Sequence, residues 1–98
     1  MAIVTFGRKQ FEREIGAFNE EMKSQIAMFG TPIERIEGDE ISIEISPNRS
    51  DLLSYHGFKR AFLAFLGKKT GLVNYKVNKP EENYQVIVDS SVKDIRPY

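Results

Sequence analysis

Basic side chains form the one pattern in this sequence that suggests a binding function. Residues 48–79 hold seven lysines and arginines against a single acid, Asp51, so the segment carries a net charge of +6. Lysine and arginine bind nucleic-acid phosphates through charge, without reading the base sequence. The candidate contacts to RNA phosphates are Lys59, Arg60, Lys68 and Lys69. The alternative is a solvated face that complements the acidic first half of the chain.

Catalytic and metal-binding patterns are missing from the sequence. The chain has no cysteine and a single histidine, His56, which excludes thiol nucleophiles, disulfides and multi-histidine metal sites. His56 lies between Tyr55 and Gly57 with no evident partner nucleophile, and we interpret it as structural. Neighbouring acids such as Glu12 and Glu14 lack the spacing of a calcium loop and are typical of a solvated face. We therefore predict no catalytic, cofactor-binding or metal-binding residue in this chain.

Length and composition are typical of one small globular domain. Of the 98 residues, 41% are hydrophobic and 29% are charged, as in ordinary soluble proteins. Fourteen basic residues balance 14 acidic ones, so the whole chain has no field that would bind nucleic acid indiscriminately. The apolar runs are too short to span a bilayer, and residues 1–6 lack the charge pattern of a signal peptide. We expect a cytoplasmic location.

The spacing of apolar residues predicts an α+β fold with three helices, a β-hairpin and short strands. Helices are expected over 8–15, 20–29 and 51–66, and strands over 2–6, 33–37, 41–45 and 84–89. Asn19 has the residue type and position of an N-cap for the second helix. Ile33 and Ile36 break the alternation of their strand, so that half of the hairpin is expected to be bulged or irregular.

The third helix is predicted to anchor the core. Its apolar residues recur at i, i+3, i+4, i+7 and i+8, and are Phe58, Ala61, Phe62, Phe65 and Leu66. Such a stripe is wide enough to cover a sheet. At the start of this helix, Asp51 would face the positive end of the helix dipole, and Ser50 or Asn48 would accept a free backbone N–H.

The residues that lead into this helix resemble a known signature. Asn48, Arg49, Asp51 and Leu52 match the Asn-Arg-Pro-Asp-Leu signature of the phenylalanyl-tRNA synthetase β subunit, with Ser50 where that family usually has proline. Serine lacks the fixed φ of proline but leaves the turn intact. We expect Arg49 to pair with Asp51 or brace the turn rather than to read RNA.

Two further features place the resemblance on one branch of that family. The tail over 88–98 looks like the opening of the editing domain in the archaeal and eukaryotic-type subunit. Bacterial subunits carry an oligonucleotide-binding-fold insertion before the signature, whereas only two residues separate Ile45 from Asn48 here. The resemblance therefore extends over essentially the whole chain and points to the archaeal or eukaryotic type.

The resemblance implies a non-catalytic scaffold within a larger enzyme. Residues 1–79 would form its winged-helix-like N-terminal domain, and residues 80–98 a linker and the first strand of the editing domain. The parent enzyme would use ATP and Mg²⁺ to attach phenylalanine to tRNA(Phe), as an α2β2 tetramer with its synthetic site on the α subunit. The implied partners are the α subunit, a second β subunit and tRNA(Phe). The alternatives are a small nucleic-acid-binding module that uses residues 49–79, or a stand-alone protein-interaction domain.

Overall fold

The computed structural model describes residues 2–96, which form one three-stranded sheet and three α-helices. The strands are β1 (Ala2–Gly7), β2 (Ile33–Glu37) and β3 (Glu40–Ile45). The helices are α1 (Arg8–Glu14), α2 (Glu20–Met28) and α3 (Tyr55–Phe65), and two 3-10 turns span Ser50–Leu52 and Ser90–Val92. The predicted α+β fold class is confirmed.

The sheet is antiparallel, with β3 between its two neighbours in the order β1-β3-β2. Gly38 and Asp39 connect Glu37 to Glu40 in the β2–β3 hairpin, and Gly38 has a φ of +58°. Glycine adopts this left-handed conformation at little cost, as the favoured two-residue hairpin turns require. The pairing register shifts between Ile33 and Arg35, which confirms the predicted irregularity of this strand.

Aromatic side chains from the helices fill the space beneath the sheet. The alternating isoleucines of β3 point into this space and are fully buried. The core consists of Phe6, Phe11, Ile15, Phe18, Ile26, Ile41, Ile43, Ile45, Leu52, Phe58 and Phe62. Phe58 lies at the centre of the ring contacts, with centroids 5.4 Å from Phe6 and 5.2 Å from Phe62. The apolar stripe of α3 therefore anchors the core, as predicted.

The long helix begins later than the sequence predicts. Residues 50–52 form a separate 3-10 turn, and α3 starts at Tyr55 with Ser54 as its N-cap. The Gly57 amide donates to the Ser54 hydroxyl over 3.1 Å, so the predicted capping by Ser50 or Asn48 is wrong. The chain turns before the helix because Leu52 must enter the core, where it is buried.

Residues 68–96, here called the arm, lie outside this core. Each of them is exposed, and the strand predicted over 84–89 is not formed. A strand needs a hydrogen-bonded neighbour, and no described segment pairs with this one. The radius of gyration is 17.6 Å, against about 13 Å for a compact domain of this length. The domain boundary at residue 79 stays a prediction, and the last two residues of the family-like tail lie outside the described range.

Candidate nucleic-acid interface

A groove of about 810 Å³ runs between α3 and the first residues of the arm, 69–75. The cationic residues along it are Lys59, Arg60 and Lys69, and its apolar lining includes Leu63 and Val73. The Arg60 guanidinium donates to the Tyr75 hydroxyl over 3.1 Å and so links the arm to the helix. The groove thus combines cationic and apolar groups beside the exposed ring of Tyr75.

Lys59 is held by an acid from another helix. Its Nζ lies 3.3 Å from Glu14 Oε2, and the Tyr55 hydroxyl donates to the same oxygen over 2.6 Å. The Tyr55 hydrogen bond and the Lys59 charge lower the pKa of the Glu14 carboxyl. Burial and the neighbouring carboxylate raise the pKa of the Tyr55 hydroxyl. This cluster joins the end of α1 to the start of α3.

Lys68 also contacts the end of α1. Its Nζ donates to the carbonyl oxygen of Ile15 over 2.5 Å, where a cation complements the negative end of the helix dipole. The four predicted cations are therefore divided between two environments. Lys59 and Lys68 bind groups at the end of α1, and Lys59 also lines the groove, whereas Arg60 and Lys69 line the groove without contacting α1. Their contact with RNA stays a prediction.

The signature residues brace the turn into α3. Arg49 and Asp51 form a bidentate pair, with Nε–Oδ1 at 3.0 Å and Nη2–Oδ2 at 2.9 Å. The guanidinium holds the pKa of the Asp51 carboxyl below its usual range. The guanidinium carbon also lies 6.0 Å from the ring centroid of Phe29. The predicted Arg49–Asp51 pairing is confirmed, while Asn48 is exposed.

Two residues of these clusters were not identified from the sequence. Glu14 and Tyr75 are separated from their partners by 45 and 15 positions, respectively. A partial signal exists for the first cluster, because Tyr55 and Lys59 are four positions apart on a helix and so share a face. Nothing in the local sequence indicates that Glu14 would approach that face.

Residues 2–96 contain neither a cluster of metal ligands nor a helix that could span a membrane. No group of three or more histidine and carboxylate side chains converges in this range. None of the helices within it is both long and apolar enough to cross a membrane.

Comparison with known proteins gives matches along the entire chain. The phenylalanine–tRNA ligase β subunit of Archaeoglobus fulgidus is 39% identical over 97 residues, which cover 99% of this chain. The β subunits of Methanosarcina acetivorans and Methanopyrus kandleri are 35% and 36% identical over 100% and 99% of it. The chain is similar over its whole length to phenylalanine–tRNA ligase β subunits. The resemblance predicted from the signature is confirmed.

The matched region is a small part of each relative. The chain spans only 17–18% of the length of these β subunits. No protein-family model matches the chain, and no solved structure matches it. The similarity therefore associates this chain with one segment of a much longer subunit.

Proposed function

We propose that this chain is the N-terminal, non-catalytic scaffold domain of a phenylalanine–tRNA ligase β subunit. The observation that carries the proposal is the alignment of the whole chain with archaeal β subunits between five and six times its length. The signature turn supports a scaffold role, because its residues contact one another and the core. Arg49 and Asp51 bind each other, and Leu52 packs into the core.

In this proposal the activity belongs to the parent enzyme. That enzyme attaches phenylalanine to tRNA(Phe) with ATP and Mg²⁺, in the cytoplasm, as a tetramer of two α and two β subunits. Residues 1–79 supply a structural domain of the β subunit, and residues 80–98 lead into the editing domain. The α subunit carries the synthetic site, so this domain acts through assembly of the enzyme.

Two measurements test the scaffold assignment. An antibody against residues 2–67 should detect a native polypeptide between five and six times larger than 11.2 kDa. A native band at 11.2 kDa would overturn the proposal. The purified chain should also show no phenylalanine-dependent pyrophosphate exchange, with the assembled α and β subunits as the positive control. Exchange by the chain alone would overturn the non-catalytic role.

A second function, contact with RNA phosphates, is favoured by the groove. Arg60 and Lys69 line it without an acidic partner among the described ion pairs. Tyr75 lies beside them and is mostly exposed, so its ring is available for stacking on a base. We propose that these residues bind an unpaired stretch of tRNA, with the cations on phosphates.

Salt-dependent binding tests this contact. Titrations with tRNA should give an affinity that falls with salt, and the double variant Arg60→Gln/Lys69→Gln should reduce the slope of log K against log salt by about 1.4. The matched control Arg35→Gln/Lys93→Gln removes the same charge elsewhere and should keep the wild-type slope. Equal losses in both variants, or no binding at low salt, would overturn the proposed contact.

A further inference from the structure

Lys59 belongs both to the groove and to the cluster at the end of α1. It lines the groove beside Arg60, its neighbour on α3. Its ammonium, however, lies 3.3 Å from Glu14 Oε2 and 5.8 Å from the ring centroid of Tyr55. The face of a tyrosine ring attracts a cation. The charged end of Lys59 is therefore bound by two groups that are not part of the groove lining.

The Glu14 carboxylate is fixed in the position that faces Lys59. The Tyr55 hydroxyl donates to Glu14 Oε2 over 2.6 Å, and Lys59 contacts the same oxygen. This hydrogen bond and the Lys59 charge hold the pKa of the Glu14 carboxyl below its usual range, so the group is charged at neutral pH. The side chains of Glu14 and Lys59 are only 25% and 27% exposed. A partly buried pair of charges is screened by salt less than a surface pair.

The other two cations of the groove lack a partner of this kind. Arg60 donates to the neutral hydroxyl of Tyr75, and Lys69 forms none of the described ion pairs. The residues that line the groove include no acid. Among the described ion pairs, only the one with Glu14 involves a cation of the groove. The charge of Glu14 therefore decides whether two or three cations face a ligand in the groove.

We propose that Glu14 limits the number of phosphates that the groove binds, by holding the Lys59 ammonium at the end of α1. This inference rests on the proposed contact of the groove with RNA and assigns the residue that regulates it. In the wild type, Arg60 and Lys69 contact phosphates and Lys59 does not. Without the Glu14 charge, the flexible four-carbon stem of Lys59 lets its ammonium turn into the groove and contact a further phosphate. Glu14 is thus a positioning residue, which acts on RNA through Lys59.

Salt titrations of Glu14→Gln with tRNA test this role. Glutamine keeps an oxygen that accepts the Tyr55 hydrogen bond but lacks the charge that attracts Lys59. One additional phosphate contact should steepen the slope of log K against log salt by about 0.7. Glu12→Gln is the matched control, since Glu12 is on the same helix and pairs with Arg8, and it should keep the wild-type slope. An equal change in both variants would mean a general effect of charge and would overturn the role of Glu14.

A double substitution separates the release of Lys59 from a simple loss of repulsion by Glu14. Lys59→Gln should leave the slope of the wild type unchanged, but it should remove the gain in the Glu14→Gln background. A gain that survives in the double variant would show that Lys59 does not supply the additional contact. A slope that falls by about 0.7 on Lys59→Gln alone would show that Lys59 already binds phosphate. Either result would overturn the proposal.

The same titrations distinguish this inference from the RNA contact on which it rests. A wild-type chain that does not bind tRNA at low salt would overturn the contact itself, and the role of Glu14 with it. Wild-type binding together with an unchanged slope in Glu14→Gln would overturn the role of Glu14 alone. Circular dichroism at the temperature of the titrations should show the same helical content in every variant, so that a change of slope reports binding by the folded chain.

Discussion

Two segments of this chain share an alternating apolar pattern, and only one of them forms a strand. In β3, Ile41, Ile43 and Ile45 are fully buried between the helices and the neighbouring strands. In the arm, Tyr84 and Val86 alternate in the same way but remain 81% and 89% exposed. β3 has a hydrogen-bonded strand on each side, whereas residues 84–88 have none. Alternation thus marks a segment that is able to pair, and the available partner decides whether it does.

The same contrast holds for aromatic residues in the folded part and in the arm. All seven phenylalanines lie between residues 6 and 65, and five of them are buried in the core. Stability should therefore depend strongly on residues 2–67 and weakly on the arm. Substitutions in the two regions test how much each contributes to the free energy of unfolding.

The largest expected effect is that of Phe58→Ala. Phe58 is fully buried and contacts the rings of Phe6, Phe29 and Phe62, so its loss should lower the free energy of unfolding by about 3–5 kcal/mol. Leu72→Ala, at a position 99% exposed in the arm, should change it by less than about 0.5 kcal/mol. Urea titrations followed by circular dichroism compare the two. Similar losses would contradict the division.

Gly57→Ala should have the next largest effect. A Cβ at this position would lie 1.8 Å from the carbonyl oxygen of Asp51, so the signature turn would have to move away from α3. We expect a loss of about 1–3 kcal/mol, although alanine is the better helix former. His56→Ala, at an exposed position on the same helical turn, is the control and should be nearly neutral. A stabilised Gly57→Ala variant would show that the turn does not pack as described.

Glu14→Gln should change the pH dependence of stability. Since the Tyr55 hydrogen bond and Lys59 lower the pKa of Glu14 below its ordinary 4.5, the carboxylate stabilises the fold above that pH. This contribution is lost as the pH falls through the lower pKa of the folded state. Between about pH 6 and about pH 3 the wild type should lose more stability than the variant. Glu34→Gln, at an exposed site on β2, should behave like the wild type in the same urea titrations.

Removal of the end of the arm should have the smallest effect. A chain that ends at Lys79 keeps every core residue, so its free energy of unfolding should change by less than about 0.5 kcal/mol. The measurement is made at a concentration where the full chain is monomeric. A larger loss would mean that residues 80–96 contribute to the fold, and would move the predicted domain boundary.

The sequence predicted most elements because their signals are local. Asn19 caps α2 by accepting a hydrogen bond from Met22 N over 2.9 Å, as its residue type indicates. The predicted start of α3 was wrong, because Ser50 and Ser54 both have a residue type that caps helices. Ser54 is the cap, and the 3-10 turn before it carries Leu52 into the core, where its burial is a tertiary contact.

The candidate site shows the same limit. The sequence identified Lys59, Arg60, Lys68 and Lys69 by their charge, and Arg49 as either a partner of Asp51 or a brace of the turn. It did not show that Lys59 and Lys68 bind groups at the end of α1, or that Lys59, Arg60 and Lys69 line one groove. Charge type is a property of each residue, but the acid that a lysine meets is set by how two distant helices pack.

Sequence by itself therefore determined the fold class, the helix anchored by phenylalanines, the signature turn and the resemblance to a synthetase β subunit. Each of these depends on residue type and on spacing over a few positions. The tertiary structure alone decided where α3 begins, which cations contact the end of α1 and which alternating segment becomes a strand. These outcomes depend on which backbone groups and side chains meet across the fold, and a period of two or 3.6 residues carries no information about the partner.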